Sequence, residues 1–352
     1  MNREEEEYQI QTGNGEEKKH QVQTMKGKQK EGRIRGLELA REYYLQVGKP
    51  MLEEKFPEYL PRIAAGLVGE GSECMGFDDE ISRDHDFGPS FCLWLTAEDY
   101  AEVGARMQEA YAQLPGEFLG FPARNISARG GGRVGVLEIR QFYGRYIGAE
   151  QPPGSCERWM YLPEDKLAAV TSGEVFEDPL GEFSRIRQAL AAYYPEPVRI
   201  RKIAERAAGM AQSGQYNYGR CMRRGDVGAA ALALDEFIRQ TISMLYLLNR
   251  TYMPYYKWIF RGLQALPVLP EIRPLLVRLV RSNPLRAENA WEEPVYNPYV
   301  NREDERVDLI ENICARVLEE LKRQKLTSRE EDFLEAHVDE IMARACDHVE
   351  SQ

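Results

Sequence analysis

Apolar positions in the first half of the chain come in short runs separated by glycine-rich or acidic segments. Residues 63–69 are apolar and end in glycine, which predicts a buried strand that leads into a turn. Apolar side chains alternate between residues 87 and 95, which predicts a second strand. A third apolar run, residues 133–142, follows the segment 129–132, whose glycines are typical of a hairpin turn. The pattern predicts a short sheet.

Most other apolar positions recur at helical spacing. A helix is predicted from about Gly36, and another over residues 97–114, where Thr96 and Pro115 are typical start and stop signals. Beyond Pro163 the spacing predicts no convincing strand. It predicts helices over residues 180–193, 198–212, 228–248, 254–266, 303–325 and 328–349. The fold class expected is α+β, in which a head with a short mixed sheet precedes an all-helical C-terminal bundle.

Composition divides the chain further. Residues 1–32 are rich in Glu, Lys, Gln and Gly and have almost no apolar positions, which predicts a disordered polar tail. Of the 352 residues, 43% are hydrophobic, enough to pack about two domains. We place the sheet-containing domain at residues 33–160 and the helical domain at residues 161–352.

Charge and cysteine content limit the functional classes. The chain has 46 Lys and Arg against 57 Asp and Glu, a net charge of −11, which disfavours a nucleic acid partner. Arginines at residues 220–224 and 273–286 keep RNA open as a minor alternative. The six cysteines lack Cys-x-x-Cys spacing, which indicates reduced thiols. With no signal-like start and no run of eighteen apolar residues, we expect a cytoplasmic protein without membrane contact.

The most informative chemistry lies between the first two predicted strands. Gly71 and Ser72 open a turn in which backbone amides and a hydroxyl could contact a phosphate. After eleven further residues come Asp84 and Asp86, which would share one face at the start of the second strand. Two neighbouring carboxylates are good ligands for Mg²⁺ or Mn²⁺, because hard cations prefer oxygen. This spacing predicts a metal site that grips a nucleoside triphosphate.

A two-metal site usually includes a third carboxylate from a neighbouring strand. Glu138 lies in the apolar run 133–142, between Leu137 and Ile139. If it faces Asp84 and Asp86, it is the candidate third ligand and the general base for an acceptor hydroxyl.

These motifs together resemble the DNA polymerase beta-like nucleotidyltransferase superfamily, which has Gly-Ser, a gap of about ten residues, Asp-x-Asp and a later acid on a strand. Segments downstream, including residues 159–167, 171–178, 193–195 and 214–217, resemble a bacterial family called domain of unknown function 4037. The resemblance covers roughly residues 60 to 270. Superfamily members normally place a hydrophobic residue between the two aspartates, whereas this chain has His85.

The resemblance implies a function for both domains. Residues 33–160 would form the nucleotidyltransferase-like domain, with Asp84, Asp86 and Glu138 as catalytic metal ligands and Gly71 and Ser72 binding the phosphates. The helical domain would face the head across a cleft. Its candidates for nucleotide contacts are the aromatic, amide and basic side chains of Tyr216, Asn217 and Lys257.

Less specific interpretations exist for each of these residues. The acidic segment 78–84 could be an ordinary solvated turn, and Glu138 could be a surface residue of an edge strand. His85 is better explained as a packed or hydrogen-bonded ring than as a metal ligand, since Mg²⁺ has little use for imidazole. Single tyrosines such as Tyr216 could simply pack the helical core.

The sequence therefore predicts a metal-dependent nucleotidyltransferase. It would move a nucleoside monophosphate from an NTP, with ATP as the expected one, to a hydroxyl of a small molecule or a protein. The alternatives are a catalytically inactive nucleotide-binding protein and an antitoxin-like interaction protein on the same fold.

Overall fold

The computed structural model describes residues 34–83, 86–125, 131–283 and 297–350, and the side chains up to residue 346. The predicted polar tail, residues 1–32, lies outside the described residues, as do Asp84 and His85. The described chain divides into two compact units. The first comprises residues up to Glu138 together with Gly173–Leu180, and the second comprises Ile139–Ser172 and the residues from Gly181 onward.

The first unit contains a four-stranded mixed sheet in the order β3-β2-β1-β4. Its strands are β1 Ala64–Leu67, β2 Cys92–Leu95, β3 Gly135–Glu138 and β4 Glu174–Glu177. β1 runs antiparallel to both β2 and β4, whereas β2 and β3 are parallel. The sheet confirms the predicted α+β class.

The helices of the first unit cover this sheet. They are α1 Gly36–Tyr43, which continues through a π-helical segment Tyr44–Gly48 into α2 Lys49–Lys55, and α3 Ala97–Ala112. Thr96 caps α3, as predicted, because its hydroxyl accepts a hydrogen bond of 3.2 Å from the backbone N–H of Asp99. The buried core includes Tyr44, Phe91 and Leu93, and all four residues of β2 are fully buried.

Three sequence expectations for the sheet were wrong. β2 and β3 are parallel, so the expected hairpin does not join them, because a parallel pair needs a longer connection. The third strand ends at Glu138, and the next residue begins a helix. β4 lies beyond Pro163, where no strand was expected. Its ends are held by distant partners: Glu174 pairs with Arg41, and Glu177 pairs with Lys49.

The second unit is helical apart from its connections. Its helices are α4 Ile139–Ile147, α5 Cys156–Met160, α6 Glu164–Thr171, α7 Glu182–Ala191, α8 Glu196–Met210, α9 Gly219–Arg223, α10 Val227–Leu248, α11 Ile259–Gly262, α12 Ile272–Arg281, α13 Glu305–Arg323 and α14 Val338–Glu350. A π-helical segment, Ala211–Tyr218, follows α8, and short 3₁₀ segments occur at Leu263–Ala265 and Leu334–His337. In the first unit, 3₁₀ segments occur at Pro57–Arg62 and Ile81–Arg83.

The centre of the second unit is α8, which packs against both α10 and α14. α10 is the long apolar helix that the sequence predicted, and residues 241–248 are all buried. The helix predicted over residues 254–266 begins only at Ile259, because the segment 249–258 follows a non-helical path through Arg250, which has a positive φ of 50°.

Within the described residues, no helix combines the length and the apolar composition that crossing a bilayer requires.

Candidate functional site

The turn after β1 begins with two glycines whose backbone conformation favours glycine. Gly69 has a φ of 127° and Gly71 a φ of 134°, both outside the range of ordinary L-residues. The chain then coils tightly, and the backbone N–H of Phe77 donates to the carbonyl of Ser72 over 2.8 Å. The turn thus places Glu70, Gly71 and Ser72 directly after the buried strand β1.

Arg133 connects this turn to the acidic segment that precedes β2. One terminal nitrogen of its guanidinium lies 3.0 Å from an Asp86 carboxylate oxygen, and the other lies 3.3 Å from a Glu70 oxygen. The Asp86 side chain is largely buried, with 11% of its surface exposed. Since β1 and β2 are antiparallel, the end of β1 and the start of β2 lie at the same end of the sheet, as this contact requires.

Asp86 itself does not lie on a strand. β2 begins six residues later, and Asp86 has a positive φ of 53°, with its N–H donating to the carbonyl of Asn125 over 2.8 Å. The argument that Asp84 and Asp86 share one face of a strand therefore does not apply. Asp84 and His85 lie outside the described residues, so their part in the site stays a prediction.

A second ion pair lies beside the first and is deeply buried. Arg124 is 2.6 Å from the Glu73 carboxylate and also donates to the hydroxyl of Ser90 over 2.8 Å. The side chains of Glu73 and Arg124 are only 3% and 7% exposed. Burial raises the pKa of Glu73, and the nearby carboxylates of Asp78 and Asp86 raise it further, although Arg124 opposes them.

Sequence analysis missed Glu73 and Arg124. Glu73 directly follows the Gly-Ser turn, so its position next to the motif was a signal. Arg124 comes from residues 121–125, which follow an irregular path without helix or strand and bring it to Glu73 from 51 positions along the chain. Only the folded structure could reveal that pairing.

Glu138 lies at the other end of the strands. It ends β3 and pairs with Leu95, whereas Gly135 pairs with Cys92 at the end nearer Asp86. Three residues of strand separate the two ends, a distance of about 10 Å. Glu138 is buried, with 6% exposed. Its assignment as a third ligand beside Asp86 stays a prediction that this register does not favour.

The donor set at Asp86 and Glu70 consists of carboxylate oxygens, which suits a hard cation such as Mg²⁺. No group of three His, Cys, Asp or Glu side chains that could hold a metal ion is present among the described residues. Asp84 lies outside the described residues, so the set of Asp84, Asp86 and Glu138 stays a prediction.

The predicted nucleotide contacts of the helical domain all belong to the second unit. Tyr216 lies in the π-helical segment, and the Arg220 guanidinium lies 4.7 Å from the centroid of its ring. Asn217 is exposed on the same segment. Lys257 is exposed and lies 5.0 Å from the ring centroid of Trp258. Whether Tyr216, Asn217 and Lys257 contact a nucleotide together with Gly71 and Ser72 stays a prediction.

Comparison with known proteins gives one match. The model of a family described as a Domain of unknown function (DUF4037) matches residues 159–259, a stretch that runs from the end of α5 to the start of α11. No curated protein and no solved structure matches the chain. The matched stretch lies mostly in the second unit and includes β4 of the first.

Proposed function

We propose that the chain is a metal-dependent nucleotidyltransferase that moves a nucleoside monophosphate from an NTP, ATP first of all, to a hydroxyl acceptor. One observation carries the proposal: Arg133 contacts both Glu70 and Asp86. This double contact holds the Gly-Ser turn and the acidic segment together at one end of the sheet. From the resemblance to the nucleotidyltransferase superfamily, we expect the phosphate-binding turn and the metal-binding aspartates to meet in this way.

Each group at this end has a chemical role in the proposal. The backbone amide of Gly71 and the hydroxyl of Ser72 bind the terminal phosphates, because glycine lets an anion approach the main chain closely. Asp86, together with Asp84, would hold Mg²⁺ or Mn²⁺, and the ion would offset the charge of the triphosphate. Arg133 already balances the carboxylate of Asp86 and positions it.

Glu138 is the predicted general base. Its register beside Leu95 separates it from Asp86 along β3, so its part in the transfer stays a prediction.

The first test is transfer of label from each α-labelled NTP, with Mg²⁺ or Mn²⁺ and a cell extract, followed by separation of protein, RNA and small molecules. We expect the wild-type chain to transfer label, with ATP preferred. Asp86→Asn keeps the side-chain shape but removes the charge that binds the cation. It should lower the transfer rate by about 100-fold or more.

Asp235→Asn is the matched control, because Asp235 lies on an exposed face of α10 and pairs with Arg239 one turn away. This variant should transfer label at the wild-type rate. Equal rates for Asp86→Asn and the wild type would reject the site.

A catalytically inactive nucleotide-binding protein is the second candidate. The observation that favours it is the Asp86–Arg133 ion pair, since a guanidinium already occupies a carboxylate oxygen that a metal would use. In that case ATP would bind, and Asp86→Asn would weaken binding, but no acceptor in the extract would gain label.

A further inference from the structure

A polar pocket lies wholly within the second unit. It has a volume of about 550 Å³, and its walls come from α6, α8, α10 and the segment before α11. The lining includes Glu164, Lys202, Arg206, Gln240 and the paired rings of Tyr255 and Tyr256. All of its lining residues fall within the stretch 159–259 that the family model matches.

One of the lining residues, Glu164, has a buried carboxylate. The Glu164 side chain is 11% exposed, and its Oε1 atom has no hydrogen-bond partner among the described residues. A buried acceptor without a partner is costly, so such an atom is usually met by a water or a ligand. Burial raises the pKa of Glu164, and Lys202, Arg206 and Ser243 oppose that rise.

Two cations stand just beyond hydrogen-bond distance of the same oxygen. The Lys202 ammonium is 3.9 Å from Glu164 Oε1, and a terminal nitrogen of Arg206 is 3.8 Å from it. These gaps exceed the distance of a direct hydrogen bond. An oxygen atom to the side of such a pair, about 2.8 Å from both the cation and Oε1, could accept from the cation and donate to the carboxylate.

The charges around this position select the kind of group that fits. An anion such as phosphate would face the Glu164 carboxylate, whereas an ammonium would face Lys202 and Arg206. A neutral hydroxyl satisfies both sides, since it donates one hydrogen bond and accepts others. Gln240 adds a further buried acceptor, because its Oε1 has no partner among the described residues while its Nε2 donates to Glu236. A ligand with more than one hydroxyl could therefore donate to both acceptors.

The two tyrosines determine the shape of the ligand. The rings of Tyr255 and Tyr256 have centroids 4.4 Å apart, and the two residues are 49% and 72% exposed. Exposed aromatic faces beside a polar pocket present flat apolar surfaces against which the C–H face of a saturated ring can pack. A hydroxylated ring would bury this face while its hydroxyls reach Glu164 and Gln240.

We infer that this pocket binds a neutral polyhydroxylated ring compound, a carbohydrate or a cyclitol, with one hydroxyl that bridges Glu164 and the cations Lys202 and Arg206 from the side of the pocket. The bound compound needs no nucleotide, so the inference goes beyond the proposed transfer. That this compound is also the hydroxyl acceptor would rest on the proposed function.

Binding can be measured on the full chain without any NTP, by saturation-transfer NMR and calorimetry. The probes are myo-inositol and methyl α-D-glucoside, with cyclohexylamine and inorganic phosphate as charged comparisons. We expect at least one hydroxylated probe to bind with a Kd below about 10 mM, and the charged comparisons to bind about tenfold more weakly or not at all.

Two variants locate the site. Glu164→Gln removes the charged acceptor while keeping the side-chain size, and it should weaken binding by about tenfold or more. Tyr256→Ala removes an exposed ring and should weaken binding by about fivefold. Tyr161→Ala is the matched control, because Tyr161 is also highly exposed, at 80%, but lines a different cavity. It should bind like the wild type.

The inference is overturned if neither hydroxylated probe binds, if cyclohexylamine or phosphate binds more tightly than both, or if Glu164→Gln and Tyr256→Ala bind like the wild type. A high-resolution structure soaked with the bound probe that shows only a water between Glu164 and Lys202 would also overturn it. Because the Tyr256 side chain is mostly exposed, its loss leaves folding intact and keeps the test valid if Glu164→Gln unfolds. Binding without label transfer would reject the proposed function alone.

Discussion

At the residue scale, Arg133 and Arg124 of the first unit form ion pairs that differ in burial. Arg133 is partly exposed, at 28%, and connects two carboxylates near the protein surface. Arg124 is 7% exposed and neutralises a carboxylate that water can hardly reach. The strength of an ion pair depends on burial more than on its length, because solvent screens exposed charges. Removing Arg124 should therefore lower the free energy of unfolding more than removing Arg133.

Replacing Arg124 tests this difference. Arg124→Ala leaves Glu73 buried without its counter-ion and should lower the free energy of unfolding by about 3–5 kcal/mol. Glu73→Gln in the same chain removes the buried charge and should restore part of the loss. Chemical denaturation monitored by circular dichroism measures both.

The matched control is Arg239→Ala, which breaks an exposed pair with Asp235 whose partners are 70% and 62% exposed. That change should cost less than about 0.5 kcal/mol. If Arg124→Ala and Arg239→Ala lower the free energy of unfolding equally, burial does not make the Glu73–Arg124 pair more stabilising than an exposed pair.

At the scale of elements, β4 completes a sheet that would otherwise leave β1 as an edge. β4 pairs with β1 through a bulge between Ala65 and Gly66. The two strands approach closely at Gly66, where a Cβ atom would lie 2.4 Å from the Glu174 carbonyl oxygen and 2.9 Å from the Val175 Cα. These are backbone atoms, so they cannot move aside alone. The sheet therefore requires glycine at position 66.

Gly66→Ala should disturb the pairing of β1 with β4. We expect the free energy of unfolding to fall by about 2–4 kcal/mol, within the range for overpacked cores and strained backbone. Hydrogen exchange should rise first at the amides of β1 and β4. Both effects can be measured on the full chain.

Gly144→Ala provides the control. Gly144 lies within α4, and a Cβ there would meet nothing within 4 Å. Alanine is the better helix former, so this variant should be neutral or more stable by up to about 1 kcal/mol. A Gly66→Ala protein as stable as the wild type would contradict the role given to this close approach.

At the scale of the whole molecule, sequence patterns predicted the helices and strands that are specified by residues close together in the sequence. β1, β2, α3 and α10 have strong local signals, such as the apolar run before Gly69 and the Thr96 cap, and all four appear in the structure. The α+β class followed from these elements. Their bounds differ from the predicted ranges by a few residues, because the flanking residues follow turns.

The features that sequence reasoning missed depend on distant contacts. β4 has only the short pattern Glu174-Val175-Phe176-Glu177, and it pairs with a strand more than a hundred positions earlier. β3 runs parallel to β2, which the glycines before it did not indicate. At the candidate site, Gly71 and Ser72 could be named from the motif. The Arg133 contact to Glu70 and Asp86 could not, because it joins residues far apart in sequence.

The charge of the whole chain gives the last prediction. A net charge of −11 repels a polyanion. Two of the arginines that could bind RNA already have partners in the protein. Arg278 pairs with Glu305 over 2.6 Å, and the Arg220 guanidinium lies over the Tyr216 ring. We therefore expect fluorescently labelled RNA to bind weakly near physiological salt, with a Kd above about 0.1 mM. Fluorescence anisotropy measures this Kd. Glu305→Gln, which releases Arg278, should leave this result unchanged, since one freed cation offsets little of the total charge. Micromolar binding that weakens steeply as salt rises would show instead that local arginines outweigh the charge of the chain, and RNA would return as an acceptor.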